Sequence, residues 1–110
     1  MEISTVSKNG FCVLRIGNDL DMGADLTELK EAIGIRLLEG NRNIALSLTR
    51  KSLLSSTPIS EIVQCLRMIK EKGGKLAVIE SNQDMLDTFR VIGLDKMITL
   101  CMSEDELIVN

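Results

Sequence analysis

The chain has 110 residues, 45% of them hydrophobic, which is enough for one compact core and too few for two ordinary domains. Thirteen Lys and Arg residues against sixteen Asp and Glu residues give a net charge of −3. The chain therefore lacks the overall positive charge with which proteins bind a nucleic-acid backbone. It also contains no histidine, which excludes His-dependent catalytic triads and His-ligated metal sites. We expect a single domain, residues 1–110, that binds no nucleic acid, metal or cofactor.

The three cysteines, Cys12, Cys65 and Cys101, are widely spaced and lie in apolar surroundings. An odd number of cysteines without a Cys-x-x-Cys spacing is typical neither of a disulfide framework nor of a metal site. The first residues show no basic cluster followed by an apolar run, and no segment has the length of a membrane span. We therefore expect reduced core cysteines, a cytoplasmic location and no direct membrane insertion.

Apolar runs of strand length alternate with helical patterns along the chain. These runs are residues 12–16, 44–48, 76–79 and 97–101. Residues 1–10 carry a weaker pattern, in which Ile3 and Val6 favour an antiparallel edge strand. The chain therefore supplies four or five strands, and helices connect most of them.

The first two helices are predicted from apolar spacing. In the first, one face carries Leu26, Leu29, Ile33 and Leu37. The second is predicted to begin at residues 57–58 (Thr-Pro) and to end at residues 73–74 (Gly-Gly). Proline in the first turn and glycine just beyond the last turn are typical of helix boundaries.

Capping patterns predict two further helices. A third helix is expected over residues 82–92, because Ser81-x-x-Asp84 can cap its start and Gly93 can end it. A short fourth helix is expected from Ser103, where Ser103-x-x-Glu106 has the form of a capping box. This order of elements predicts an α/β fold with a mostly parallel, four- to five-stranded open sheet and about four helices, mainly on one face.

One loop brings hydroxyl groups to the start of the second helix. Residues 49–58 read Thr-Arg-Lys-Ser-Leu-Leu-Ser-Ser-Thr-Pro and directly follow an apolar run. The amino end of a helix presents unpaired N–H donors and a partial positive charge, so a phosphate bound or attached there is stabilised. Ser and Thr before a proline are also ordinary helix caps, and the residues by themselves favour capping.

Several segments match those of a known family in order and spacing. Residues 16–21 (Ile-Gly-Asn-Asp-Leu-Asp) are similar to the exit of its first strand, and residues 55–58 fall at its Asp-Ser-Ser/Thr-Gly motif. Residues 68–76 match its helix end, Gly-Gly turn and next strand, and residues 85–94 match its third helix with the terminal Gly-Leu. Over nearly its whole length the chain resembles the STAS domain family, and within it the stand-alone bacterial anti-sigma factor antagonists.

The resemblance implies a partner switch. In this family the unphosphorylated domain binds an anti-sigma factor with a histidine-kinase-like ATPase fold, and phosphorylation of one serine by that partner ends the interaction. By position this serine is Ser56, with Ser55 and Thr57 as secondary candidates. The resemblance implies a partner-binding surface made of two loops, residues 19–24 and 53–58, and the exposed face of the following helix. Its predicted residues are Asp19, Asp21, Met22, Gly23, Leu54, Ser55, Thr57, Pro58, Ser60, Glu61 and Gln64.

The phosphorylation motif differs from the family pattern at two positions. Ser55 replaces the family's acid, and Pro58 replaces a glycine, which removes one backbone donor and restricts the preceding residue. A second interpretation therefore stays open. In it the chain is a STAS module that takes no phosphate and serves as a scaffold in a signalling assembly or as a cytoplasmic accessory subunit of a transporter.

An enzyme is the least favoured class. No nucleophile and base pair and no metal-ligand set can be assembled from the sequence. Asp19, Asp21 and Asp25 could be interpreted as a cation site or a general base, but acids between a strand and a helix are more typical of turn and cap residues. We expect no catalytic residues.

Overall fold

The computed structural model describes residues 3–17, 27–48 and 56–108, without the side chains of residues 56–59 and 61. Its strands are β1 (Ile3–Lys8), β2 (Phe11–Ile16), β3 (Asn43–Ser47), β4 (Lys75–Ile79) and β5 (Thr99–Cys101). Its α-helices are α1 (Thr27–Leu38), α2 (Ser56–Glu71) and α3 (Gln83–Val91). Single 3₁₀ turns follow at Leu94–Lys96 and Glu104–Glu106. The predicted α/β class is confirmed.

The five strands form one sheet in the order β1-β2-β3-β4-β5. β1 pairs antiparallel with β2, with Ile3 opposite Ile16, and every later pair is parallel. β2 to β5 therefore all end at the same side of the molecule, the carboxyl end of the sheet, and begin at the opposite side, the amino end. In such sheets the loops at the carboxyl end usually form the functional site.

A two-residue turn joins β1 to β2. Asn9 and Gly10 both have positive φ, 53° and 86°. A type I′ turn requires this conformation, and its twist matches that of the flanking strands. The predicted antiparallel edge strand within residues 1–10 is thus confirmed, and its turn is encoded by the Asn-Gly pair.

The three α-helices pack on one face of the sheet. Leu29 and Ile33 of α1, Ile69 of α2 and Phe89 of α3 are all fully buried in a single cluster with alternate residues of the strands. A smaller cluster covers the opposite face, where Leu107 follows the last 3₁₀ turn and packs with sheet residues. The predicted one-sided arrangement of the helices is confirmed.

A glycine pair ends α2 and starts β4. Gly73 has φ +75° and donates its N–H to the carbonyl of Lys70, while the N–H of Gly74 reaches the carbonyl of Ile69 over 2.9 Å. These two bonds form a Schellman motif, which satisfies the last carbonyls of a helix. Position 74 requires glycine for a different reason, because a Cβ atom there would overlap the backbone carbonyl of Arg42. The predicted helix end at residues 73–74 is confirmed.

Three details differ from the sequence expectations. α3 is capped by Asn82, whose Oδ1 accepts from the N–H of Asp84 over 3.0 Å, and not by Ser81. At the fourth predicted helix the structure has only a single 3₁₀ turn, which ends at Glu106. β5 begins at Thr99 and not at residue 97, since Met97 closes the preceding 3₁₀ turn by donating its N–H to Leu94.

The cysteines behave as predicted. Cys12, Cys65 and Cys101 are all buried and free of disulfide bonds. Burial raises the pKa of the Cys12 and Cys101 thiols above the ordinary value, which makes their reactive thiolate forms scarce. We assign all three a packing role.

Candidate functional site

The candidate site lies at the carboxyl end of the sheet, where α2 begins. β3 ends at Ser47, and the next residue still belongs to the sheet, because the N–H of Leu48 donates to the carbonyl of Ile79 over 3.0 Å. α2 starts at Ser56 and runs back to the amino end of the sheet over 16 residues, about 24 Å. Ser56 is therefore the first residue of the helix, one residue before the predicted start at residues 57–58.

The exposed face of α2 continues from this start. Ser56, Ser60 and Gln64 are spaced four residues apart, a spacing that places successive positions along one stripe of a helix. Ser60 and Gln64 are exposed, whereas the opposite face of the helix packs into the core. Two of the predicted partner-binding side chains thus share one accessible surface.

α1 borders this surface. The Nζ of Lys30 on α1 donates to Oε1 of Gln64 on α2 over 3.2 Å. The Lys30 side chain is half-buried, which brings a positive charge to the groove between the two helices. A partner that covers Gln64 would therefore also contact α1, which the sequence did not predict.

The remaining predicted site residues fall into two groups. Backbone positions on α2 are described for Ser56, Thr57, Pro58 and Glu61. The following residues lie outside the described part of the chain: Asp19, Asp21, Met22, Gly23, Asp25, Leu54 and Ser55. The expected contribution of the two loops to the site stays a prediction.

A hollow of about 410 Å³ opens where β2 ends. Ile3, Ser4, Arg15, Ile16 and Gly17 line it among the residues described. The loop of residues 19–24, which the resemblance assigns to partner binding, follows Gly17 closely in the sequence. The hollow therefore lies at the described end of the segment that leads to this loop.

The last 3₁₀ turn holds Arg15 beside this hollow. The Arg15 guanidinium makes a bidentate pair with Glu104, with both N···O distances 2.8 Å. Hydrogen bonding to Arg15 lowers the pKa of the Glu104 carboxyl and raises the pKa of the guanidinium. Lys8 forms a neighbouring ion pair with Asp105 over 2.6 Å and lowers the pKa of that carboxyl. Two ion pairs thus tie the hairpin of β1 and β2 to the end of the chain.

Sequence reasoning missed Glu80, which is fully buried at the carboxyl end of β4. Its Oε1 accepts from the N–H of Asn82 over 2.9 Å, while Oε2 has no hydrogen-bond partner within the described segments. Burial raises the pKa of the Glu80 carboxyl, although backbone N–H groups of Asn82 and Ser81 act in the opposite direction. The available signal was an acid placed directly after the apolar run 76–79.

The described groups at the carboxyl end of the sheet offer polar contacts to a binding partner. Among the described residues, no group of three His, Cys, Asp or Glu side chains could hold a metal ion. The part of the chain that the structure describes also has no helix long and apolar enough to cross a bilayer. What the carboxyl end of the sheet offers is a helix start with hydroxyl groups, an exposed polar stripe and a neighbouring hollow.

A comparison with protein families gives one clear match. The family model described as the STAS domain matches residues 2–107, which is almost the entire chain. A search of curated proteins gave no significant match.

Solved structures share the fold at low sequence identity. The protein TM1081 gives a TM-score of 0.74 at 19% identity, covering 96% of this chain and 85% of that one. An anti-sigma factor antagonist from Mycobacterium paratuberculosis gives a TM-score of 0.73 at 18% identity, covering 96% of this chain and 88% of that one. The Bacillus cell fate determinant SpoIIAA, in its phosphorylated form, gives a TM-score of 0.66 at 17% identity, covering 94% of this chain and 95% of that one. At such identities the likeness shows a common fold.

Proposed function

Because this chain belongs to the STAS domain family, we propose that it is a regulatory protein-binding module of the anti-sigma factor antagonist type, switched by phosphorylation of Ser56. Its partner is an anti-sigma factor with a histidine-kinase-like ATPase fold. The position of Ser56 as the first residue of α2 is the observation that supports the proposal best. The fold shared with an anti-sigma factor antagonist from Mycobacterium paratuberculosis and with the Bacillus cell fate determinant SpoIIAA in its phosphorylated form is consistent with it.

The start of α2 suits a phosphoryl group electrostatically. Its first residues, Ser-Thr-Pro-Ile, include no acid that would repel a phosphate. Unpaired N–H groups and the helix dipole place partial positive charge there, which favours an attached phosphate. In the transfer, the Ser56 hydroxyl oxygen bonds to the γ-phosphorus of the partner's ATP, and ADP and the hydroxyl proton are released.

Phosphorylation changes the surface that the partner contacts. A phosphoserine adds nearly two negative charges at pH 7, next to a stripe whose described side chains, Ser60 and Gln64, carry none. A partner fitted to the neutral stripe then meets uncompensated charge that has to be desolvated on binding. This cost separates the two proteins, so the module releases its partner when modified.

The test begins with the identity of the partner. The tagged protein is used to isolate complexes from host cytosol, and mass spectrometry identifies the partner and any phosphate on Ser55, Ser56 or Thr57. Recovery of a small ATP-binding kinase together with phosphate on Ser56 supports the proposal. Binding of the purified partner is then measured by calorimetry.

Substitutions separate the switch from the binding surface. We expect Ser56→Asp to weaken partner binding at least about tenfold, roughly 1.4 kcal/mol, and Ser56→Ala to keep binding and prevent phosphorylation. Ser7→Asp adds the same charge on exposed β1 and serves as the matched control. Unchanged affinity of Ser56→Asp would argue against the switch.

Ser55 and Pro58 favour a second candidate function. They replace the acid and the glycine of the family motif, so a kinase meets an altered recognition surface. In this alternative the chain is a STAS scaffold in a signalling assembly or an accessory subunit of a transporter. Recovery of such an assembly with residues 55–57 unmodified would support this alternative over the switch.

A further inference from the structure

A separate cleft lies at the amino end of the sheet, at the opposite end of α2 from Ser56. It has a volume of about 250 Å³. The end of α2, the starts of β4 and β5 and the 3₁₀ turn Leu94–Lys96 surround it. Its described lining comprises Lys70, Lys75, Lys96, Met97, Ile98 and Thr99, together with the buried Leu76.

The cleft concentrates positive charge in a chain whose net charge is −3. Three lysines line it, and none of its described lining residues is acidic. Glu71 and Asp95 adjoin Lys70 and Lys96 in sequence but do not line the cleft. Within the described segments, Lys70 and Lys96 form no ion pair, whereas Lys8 and Arg15 each pair with an acid. Like charges in a concave site repel one another, and a bound anion relieves that repulsion.

Tertiary structure brings the three lysines together and holds their backbones in place. Lys70 belongs to the last turn of α2, Lys75 opens β4, and Lys96 ends the 3₁₀ turn. The N–H of Lys75 donates to the carbonyl of Arg42 over 2.9 Å, and Met97 and Ile98 both donate to Leu94 over 2.9 Å. These backbone hydrogen bonds fix the walls of the cleft, which lowers the ordering cost of binding.

We propose that this cleft binds a small phosphate compound that carries two or more negative charges. An ammonium group is a compact charge with three donors and is a common phosphate ligand. The ammonium groups of Lys70 and Lys96, with Lys75 also in the lining, match a dianion better than a single carboxylate. The volume suits a small molecule, and the half-exposed Met97 with the apolar side chain of Ile98 gives its carbon portion a surface to contact.

This site is independent of the proposed switch. α2 separates the cleft from Ser56 by about 24 Å, and no lining residue belongs to the predicted partner surface. Failure of one assignment therefore leaves the other untouched.

The test is a titration of the ¹⁵N-labelled full chain with inorganic phosphate and with pyrophosphate, followed by backbone amide shifts. Sodium chloride at matched ionic strength is the reference. We expect saturable shifts at Lys70, Lys75 and Lys96, with pyrophosphate binding more tightly than phosphate because it carries more charge. Shifts that do not saturate, or that sodium chloride reproduces, would overturn the proposal.

Two variants show whether the lysines are responsible. We expect the double variant Lys70→Ala and Lys96→Ala to bind pyrophosphate about tenfold more weakly. This corresponds to a loss of about 0.7 kcal/mol of binding free energy for each lysine removed. Lys72→Ala removes a neighbouring exposed lysine that does not line the cleft, and its affinity should stay within about twofold of the parent. The amide spectrum of each variant reports its fold. Equal affinity of the double variant and the parent would reject the assignment. In the alternative, Lys70 and Lys96 only stabilise the carboxyl ends of their helices through the helix dipole. The double variant then loses stability and the parent shows no saturable binding of pyrophosphate, a result that also rejects the proposed site.

Discussion

Glu80→Gln tests whether the buried carboxylate of Glu80, at the carboxyl end of the sheet, lowers the free energy of unfolding. The substitution keeps Oε1 as the acceptor for the N–H of Asn82. It replaces Oε2, which has no hydrogen-bond partner among the described residues, by a neutral amide group of similar size. A buried polar group without a partner costs about 1–3 kcal/mol, and more when it is charged. We expect Glu80→Gln to raise the free energy of unfolding at neutral pH by at least about 1 kcal/mol.

The effect has a defined dependence on pH. Burial raises the pKa of the Glu80 carboxyl in the folded state above its value in the unfolded chain, about 4.3. Between these two pKa values the folded protein binds more protons, so the stabilising contribution of protonated Glu80 is lost as the pH rises. The slope is up to about 1.4 kcal/mol per pH unit. The advantage of Glu80→Gln therefore grows through that window and then stays constant.

The assay is urea unfolding of both proteins at a series of pH values, followed by circular dichroism. Glu104 has the opposite dependence, because its lowered pKa gives stability that is lost as the pH falls. This contribution is common to both proteins and cancels in their difference. Glu31→Gln, on the exposed side of α1, is the control and should stay within about 0.5 kcal/mol of the parent. A difference between Glu80→Gln and the parent that does not vary with pH, or a less stable variant at neutral pH, would refute the reasoning.

Two further substitutions test the packing. Leu66 of α2 is 5% exposed, so Leu66→Ala should lower the free energy of unfolding by about 2–5 kcal/mol, and an unshifted urea midpoint would contradict its burial. Gly74→Ala should cost about 3 kcal/mol or more, because the new methyl group overlaps the carbonyl of Arg42 and lies 2.9 Å from Cγ2 of Ile69. Gly73→Ala is the matched control in the same assay, because a Cβ atom at this position would meet open space. It should lower the free energy of unfolding by about 1–2 kcal/mol, from the positive φ alone. Equal losses for the two glycines would show that the overlap at Gly74 is relieved.

The helix starts show how far capping patterns can be trusted. Ser81 and Asn82 are adjacent, and both have side chains that cap helices, so sequence spacing alone favoured Ser81 through its pairing with Asp84. In the structure the N–H of Asn82 is held by Glu80, and its own side chain caps the helix. A choice between neighbouring caps thus depends on a contact made by Glu80, the residue that follows β4.

The candidate site was predictable to the extent that it is local. Ser56 follows from a hydroxyl-rich loop at a helix start and from the family resemblance, and the exposure of Ser60 and Gln64 follows from helical spacing. The groove between α1 and α2 was not predictable, because the Lys30 and Gln64 contact joins residues 34 positions apart. The roles of the two loops remain predictions of the sequence.

The sequence by itself determined the order of the elements and the end of α2. Helical and strand periodicity and the Gly73-Gly74 helix end depend on neighbours close along the chain, and each of them agrees with the structure. Tertiary structure alone decided which charges meet. It buries the Glu80 carboxyl, joins Arg15 to Glu104 across 89 positions, and gathers three lysines from separate elements into one cleft. Desolvation and charge pairing depend on distant chain segments brought together by packing, and local patterns carry no record of them.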